Sequence, residues 1–247
     1  MRRVMAGVFA AIMITAIAWA NGEAWKSKPF AQWDEKDIRK ILNDSPWSKV
    51  VQVPAAWTSG DSGGSSGSTL PSAAQEHAPG GGIMGGSGTP TPPSAPQVPQ
   101  AEFVVRWASS RTVREAFLRA AVLGGRIKQE EAEKQAAQPM EVYQVLIVGQ
   151  DMKPFQGADD KALLEKTYLL TKKTKQRIPA VAVEYQRGSD GKTVQAAAFS
   201  FPKKSSSGEA TISPDEKGVD FFCSAGGANL RASFEPPKME DSQGRDL

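Results

Sequence analysis

Histidine is almost absent from this chain, which restricts the catalytic chemistry that it can perform. His77 is the only histidine among the 247 residues, and it lies in a stretch rich in glycine, serine and proline. Hydrolases of the Ser-His-Asp and Cys-His types need an imidazole that a folded domain holds in place. Zinc sites commonly use histidine or several cysteines, and Cys223 is the only cysteine. The sequence therefore predicts no catalytic site of these types, no metal site and no cofactor.

Paired carboxylates can support catalysis without histidine, because two such groups can hydrolyse a glycosidic bond. The candidates are three pairs of adjacent acidic residues: Asp34-Glu35, Asp159-Asp160 and Asp215-Glu216. The first two pairs lie at predicted helix starts, where negative charge stabilises the helix end. The third pair follows Pro214 in a predicted loop. A structural role explains each pair, so catalysis is the less favoured interpretation and no catalytic residue is assigned.

Tryptophans supply a second kind of candidate site. Trp25, Trp33 and Trp47 lie close together near the start of the chain, and their rings could form a surface that stacks on sugars or peptides. The competing interpretation is packing onto the rest of the protein, because an isolated segment of this kind would expose a large apolar patch. The sequence favours packing and leaves the binding surface as an alternative.

The first 20 residues have the pattern of a secretory signal peptide. Arg2 and Arg3 precede an uncharged apolar run that ends in Ala18-Trp19-Ala20, and polar Asn21 follows. Small residues in that arrangement are what a signal peptidase reads. An uncleaved membrane anchor is the competing interpretation, but the run is shorter than the ~20 apolar residues that a spanning helix needs. We expect an exported protein, periplasmic or extracellular, with no stable transmembrane segment after cleavage.

Composition divides the remaining chain into four parts. Residues 21–57 are predicted to form a helical segment that docks on the main domain, because so short a segment cannot bury its aromatic residues alone. Residues 58–100 are dominated by Gly, Ser, Pro, Thr and Ala and predict a disordered linker. Residues 101–235 are long enough for one core, and residues 236–247 form a polar tail.

Hydrophobic periodicity predicts an α+β domain, with an antiparallel or mixed sheet of about six strands and helices packed on it. The first helix of this domain should bury Val113, Phe117 and Ala121, after a cap at Ser109 or Ser110. Strands are predicted at 102–108, 142–148, 178–186, 193–201, 219–223 and 229–234, and helices run from the serine cap to Gly124-Gly125 and over 128–138 and 159–171.

Short motifs in the chain resemble a group of uncharacterised secreted proteins that recur in acidobacterial genomes. The residues that carry the resemblance are Trp33, Ser45-Pro46-Trp47, Phe103 to Ala108, Val113, Arg114, Phe234 and Lys238-Met239. The resemblance implies no known activity, so it transfers no functional residue. Proteins of that group end in a more apolar extended stretch, whereas Glu240 to Leu247 is polar here.

Charge argues against nucleic acid as a partner. Removing the signal peptide takes two arginines from the 30 basic residues and leaves 28 against 27 acidic ones, a net charge of +1. Binding to nucleic acid needs a concentrated basic face. The sequence therefore predicts an exported, non-enzymatic binding or interaction module of the cell envelope, whose partner, an envelope polymer or a protein, stays open. The alternative is a histidine-free, carboxylate-dependent hydrolase that acts on a polysaccharide or cell-wall polymer.

Overall fold

The computed structural model describes residues 23–55, 57 and 99–247. The predicted signal peptide, His77 and nearly all of the predicted linker lie outside these residues. Within the described part of the chain, no helix combines the length and the apolar character that crossing a membrane requires.

The fold has two main sheets, and five antiparallel strands form the larger one. From one edge to the other they are β1 (Ser48–Pro54), β2 (Gln100–Trp107), β3 (Val142–Gly149), β7 (Val194–Pro202) and β6 (Ala182–Arg187). The strand β3 is central, as its apolar run predicts. Its alternate residues point to opposite faces, so Val145 and Ile147 are buried on the inner face, while Gln144 and Leu146 belong to the outer face.

Four strands form the second sheet, and its inner face packs on the larger sheet. Their order is β5 (Arg177–Pro179), β4 (Tyr168–Thr171), β8 (Val219–Ala225) and β9 (Ala228–Phe234). The Phe221 ring lies 6.2 Å from that of Phe199, and the Trp107 ring lies 5.2 Å from that of Phe234. The turn between β8 and β9 is formed by Gly226 and Gly227, whose φ angles of +48° and +87° favour glycine. The α+β class is thus confirmed, with the strands divided between two packed sheets.

Two predicted elements are wrong in their extent. The predicted helix over 159–171 ends early: α5 is Asp160–Glu165, and Tyr168–Thr171 is strand β4. The hydroxyl of Thr167 donates to the Leu163 carbonyl and helps to end the helix. The predicted strand over 178–186 is split, since Pro179 ends β5 and β6 joins the other sheet.

Four helices lie in the N-terminal half of the described chain: α1 (Ala24–Ser27), α2 (Glu35–Asn43), α3 (Arg111–Leu123) and α4 (Gln129–Ala136). Ser110 caps α3, its hydroxyl accepting from the amide of Val113 at 3.2 Å. The predicted inner face of α3 is only partly right, because Val113 and Ala116 are fully buried whereas Phe117 is 37% exposed. Since α2 and α4 both pack on α3, its inner face follows those neighbours and leaves Phe117 at the rim.

The N-terminal segment packs on the main domain through a helix and a strand. The β1 strand pairs with β2 over its whole length. The Nε of Arg119 in α3 donates to the carbonyl of Trp33 at 2.9 Å, and Arg106 donates to the carbonyl of Leu42 and the side chain of Asn43. Backbone pairing and charge-assisted hydrogen bonds therefore both join this segment to the domain.

The last residues, predicted only as a polar tail, form a short docked hairpin. The strands β10 (Glu240–Asp241) and β11 (Gly244–Arg245) pair with each other, and Met239 is fully buried. Both carboxylate oxygens of Asp246 accept amide hydrogens at the start of α3, from Arg111 at 2.6 Å and Thr112 at 2.8 Å. Polar side chains can dock a segment in this way because α3 begins with amides that have no partner within the helix.

Candidate functional site

In each of the two predicted carboxylate pairs at helix starts, the first aspartate caps the helix. Asp34 accepts from the amide of Asp37 at 2.8 Å, and Asp159 accepts from the amide of Ala162 at 2.7 Å. Asp160 borders a surface cavity of about 400 Å³, where it accepts from the Tyr185 hydroxyl at 2.9 Å. Asp159 and Asp160 belong to one helix end, so they are neighbours and not groups on opposite walls of a cleft.

The third pair is held by its own loop. Hydrogen bonds from Lys173 and Ser213 lower the pKa of Asp215 to about 2. Glu216 is 1% exposed, and its Oε1 accepts backbone amides from Lys173, Lys217 and Gly218. Both carboxylates therefore organise the loop that precedes β8.

The predicted tryptophan surface is not available to a ligand in this structure. Trp25, Trp33 and Trp47 are 4%, 2% and 0% exposed. Trp25 packs edge-on against Trp47, with ring centroids 5.6 Å apart, and the Trp47 Nε1 donates to the carbonyl of Asp246 at 2.7 Å. The rings are buried because the C-terminal hairpin and the helices close over them, which the order of residues along the chain does not reveal.

A groove of about 730 Å³ opens between the α3–α4 helices and the outer face of the larger sheet. Its floor includes Leu146, and Phe117 forms part of its wall. The remaining lining residues are Ala108, Arg114, Leu118, Gln135, Gln138, Pro139, Met140, Gln144 and Gln186. We call this space the glutamine groove.

The alternation of side chains along β3 determines which residues form the floor of the glutamine groove. Gln144 and Leu146 point away from the core because Val145 and its alternate neighbours face the other sheet. Leu146 pairs with Ala198 of β7, and the small side chain of Ala198 leaves space above the sheet at this point. Phe117 stands over Arg106, the cross-strand neighbour of Leu146, with the guanidinium 6.0 Å from the ring centroid. The groove thus has an apolar base beside an exposed aromatic ring.

Three glutamine side chains in this groove have no hydrogen-bond partner in the part of the chain that the structure describes; those of Gln138 and Gln186 are exposed to solvent, and that of Gln144 is half-buried. The side-chain amides of Gln138, Gln144 and Gln186 make no hydrogen bond to any described residue, whereas that of Gln135 donates to Glu131 at 3.1 Å. Each amide offers donors and acceptors without a net charge. The groove can therefore bind groups that both donate and accept hydrogen bonds.

A second space, of about 570 Å³, adjoins the groove at the start of α3. It is lined by charged side chains from distant parts of the chain, and we call it the charged cleft. These side chains are Arg111, Arg114, Glu115, Glu133, Lys203 and Asp246. Burial raises the pKa of Glu115 to about 7, against the effect of the nearby arginines. Glu115 can thus carry a proton near neutral pH.

Most of the charged residues in the cleft already have structural partners. Arg114 donates to the carbonyls of Ala136 and Gln138, and Glu133 accepts from the side chain of Gln129. Asp246 accepts the two amides at the start of α3, and Arg111 donates through Nε to Asp241 at 2.8 Å and through Nη1 to Gln243. These contacts fasten the C-terminal hairpin to α3. Arg111 and Asp246 therefore have a structural role in the cleft.

Sequence reasoning missed both spaces. Arg114 appears only as part of the resemblance, and Phe117 is predicted to be an inner residue. In the sequence, Phe117, Pro139-Met140 and the four glutamines of the lining are widely spaced, so they give only a weak indication of a binding site. The lining combines residues as far apart as Ala108 and Gln186, so only the fold assembles it.

Comparison with known proteins gives no identity for the chain: no family model, no curated protein and no solved structure matches it. The resemblance to secreted acidobacterial proteins stays a prediction.

Proposed function

We propose that this protein is an exported, non-enzymatic binding module of the cell envelope, and that the glutamine groove holds a glycan polymer. The single observation that carries the proposal is the placing of three unpartnered glutamine amides around the exposed ring of Phe117 and the apolar Leu146. Sugar rings have the matching chemistry, with hydroxyl groups at their edges and C–H groups on their faces.

The polarity of the groove favours a sugar over an apolar ligand. Amides of Gln138, Gln144 and Gln186 line it together with backbone and apolar surface. An apolar ligand that covered these amides would remove their water and offer no partner, which costs about 1–3 kcal/mol for each amide that it buries. Sugar hydroxyls would replace the lost water, and Phe117 would stack on a ring face.

A carboxylate-dependent hydrolase of a polysaccharide or wall polymer is the second candidate, and one observation favours it. Glu115, with a pKa of about 7, lies in the cleft beside the groove and could act as a general acid. The reaction also needs a second carboxylate. Asp246 interacts with Glu115, but it is 7% exposed and accepts two helix amides. Because Asp246 is buried and already accepts these hydrogen bonds, it is poorly placed to serve as the second carboxylate, which favours binding over hydrolysis.

Binding and hydrolysis can be measured on the same ligands. We expect the mature protein to bind neutral hexasaccharides of glucose or N-acetylglucosamine in isothermal titration, without release of reducing ends. Phe117→Ala should weaken binding about fivefold, since ring contacts contribute roughly 1 kcal/mol beyond burial. Leu123→Ala is the matched control, because Leu123 is 45% exposed on the same helix and does not line the groove.

Two outcomes bear on the choice between the candidates. Binding that Phe117→Ala and Leu123→Ala leave equally strong would contradict the assignment of the groove. Release of reducing ends that Glu115→Gln abolishes would replace the binding module with the hydrolase. Export is tested independently: protein from the native envelope should have the intact mass of a chain that begins at Asn21, and a mass that retains Met1 would indicate an anchor.

A further inference from the structure

Among the residues that the structure describes, no carboxylate side chain lines the glutamine groove, and Arg114 is the one charged residue of its lining. The guanidinium of Arg114 donates to the carbonyls of Ala136 and Gln138. A ligand substituent that enters the groove therefore meets mainly amides and apolar side chains. A positively charged substituent would find no carboxylate there to pair with.

Gln144 is the most buried of the three unpartnered glutamines. It belongs to β3 on the floor of the groove and is half-buried, whereas Gln138 and Gln186 are exposed. The backbone carbonyl of Gln144 accepts the amides of Ala108 and Ser109 at 2.7 and 3.3 Å, and these hydrogen bonds position the residue. The groove thus has one amide side chain on its floor, attached to a backbone that is held in place.

The side-chain amide of Gln144 is accessible as well as unpaired. Neither its Oε1 nor its Nε2 is fully covered by protein, and neither makes a hydrogen bond to a described residue. A glutamine amide presents a carbonyl acceptor and N–H donors side by side. A ligand group that also has a carbonyl and an N–H side by side could therefore make two hydrogen bonds with it.

Apolar side chains line the groove around this amide. Leu146 is the neighbour of Gln144 on the outer face of β3, since residues two apart on a strand share a face. Ala108 lies beside Gln144 through its backbone hydrogen bond, and Leu118 and Met140 belong to the same lining. Leu118, Met140 and Leu146 are only half-buried, so a small apolar group of a ligand could contact them. A methyl group next to the amide would exchange water for apolar carbon.

An acetamido group combines these properties. It has a carbonyl and an N–H in one plane, and it ends in a methyl group, whereas a sugar hydroxyl can pair with an amide but brings no apolar carbon. We propose that the glutamine groove binds a glycan of N-acetylated amino sugars, and that Gln144 is the residue that selects the acetamido group. This inference rests on the proposed function, because the groove must first hold sugar rings beside Phe117.

Three hexasaccharides with the same β-1,4 linkage test this selection. The hexamers of N-acetylglucosamine, glucose and glucosamine carry an acetamido group, a hydroxyl and an amine at the same ring carbon. In isothermal titration at pH 5.5, the acetylated hexamer should bind the mature protein about tenfold more tightly than the glucose hexamer, because one methyl group is buried and one hydrogen bond is added. The glucosamine hexamer should bind most weakly, since its protonated amines would lose water without gaining a carboxylate partner.

Gln144→Ala isolates the contribution of the amide. It should weaken binding of the acetylated hexamer about fivefold, the effect of one net hydrogen bond, and should weaken binding of the glucose hexamer less. Gln186→Ala is the matched control, because Gln186 has the same side chain and lines the same groove but is exposed. This control should leave the ratio of the two affinities unchanged.

Two further measurements separate binding from folding. The side chain of Gln144 makes no hydrogen bond to a described residue, so Gln144→Ala should unfold at the urea midpoint of the unaltered protein. Saturation-transfer difference NMR needs no variant: the acetamido methyl protons of the acetylated hexamer should receive more saturation from the protein than its ring protons do. Weaker saturation of the methyl protons would contradict their contact with the apolar lining.

The outcomes distinguish this inference from the proposed function. Equal affinity for the acetylated and glucose hexamers, both weakened by Phe117→Ala, would overturn the selection of acetamido groups and leave the glycan groove standing. Binding of neither hexamer would overturn the proposed function itself. A preference for the acetylated hexamer that Gln144→Ala leaves intact would refute the assignment to Gln144.

Discussion

Replacing Trp33 by alanine should destabilise the whole mature protein. Trp33 is 2% exposed, its ring lies 6.3 Å from that of Phe30, and its Nε1 donates to the carbonyl of Lys28 at 3.2 Å. Its own carbonyl accepts from Arg119 of α3, which joins the N-terminal segment to the domain. The ring is thus part of the contact between two regions that the chain joins only through a long connection.

The expected loss follows from the burial of this side chain. Truncation of a buried tryptophan typically costs about 3–5 kcal/mol, including the cavity that remains. Domains have a free energy of unfolding of about 5–15 kcal/mol, so the variant should lose a large share of it. With a urea dependence of about 1–3 kcal/mol per molar, the midpoint of unfolding should fall by at least about 1 M urea.

Urea titration followed by circular dichroism measures this loss, and Trp33→Phe is the control. Phenylalanine keeps most of the buried ring and loses the indole hydrogen bond, so its loss should be clearly smaller. If Trp33→Ala unfolded at the wild-type midpoint, Trp33 would not couple the N-terminal segment to the core. A Trp33→Ala protein that loses glycan binding at unchanged stability would restore the tryptophan surface as the binding site.

Two further predictions concern the C-terminal hairpin and the buried thiol. Asp246→Ala should lower the free energy of unfolding by about 1–2 kcal/mol, because it removes a carboxylate that caps α3; an unchanged thermal midpoint would show that the cap contributes nothing. Cys223 is buried, and burial raises its pKa to about 12, so an aromatic disulfide reagent at pH 8 should modify it only after urea is added. Rapid modification of the folded protein would mean that β8 opens readily.

Local patterns predicted many of the elements correctly. The alternation of Val219, Phe221 and Cys223, followed by Gly226-Gly227, predicted a hairpin that the structure contains. The sequence also correctly indicated Ser110 as the cap of α3 and Gly124 as its end. Each of these features depends on hydrogen bonds or backbone angles within a few residues, so neighbouring residue types are enough to indicate it.

Other elements depended on contacts that neighbouring residues do not encode. Residues 168–171 have helix-compatible apolar spacing, yet they form β4 because Leu169 pairs with Phe221, far along the chain. Pairing with two different sheets also splits the strand at Pro179. The competition between a helical turn and a sheet edge is decided by burial against the partner, which tertiary structure supplies.

By itself, the sequence determined the α+β class. It also showed that histidine is almost absent and that the N-terminal aromatic residues need another part of the protein to pack against. Tertiary structure alone decided that the tryptophans lie inside and that Phe117 lies at a rim. It also brought Ser109 and Lys203 into one cleft, beside an aspartate that caps a helix more than 130 residues away. Composition and periodicity can be read from residues that are near each other in the chain. The position of a binding site depends instead on which faces of the packed sheets and helices remain uncovered.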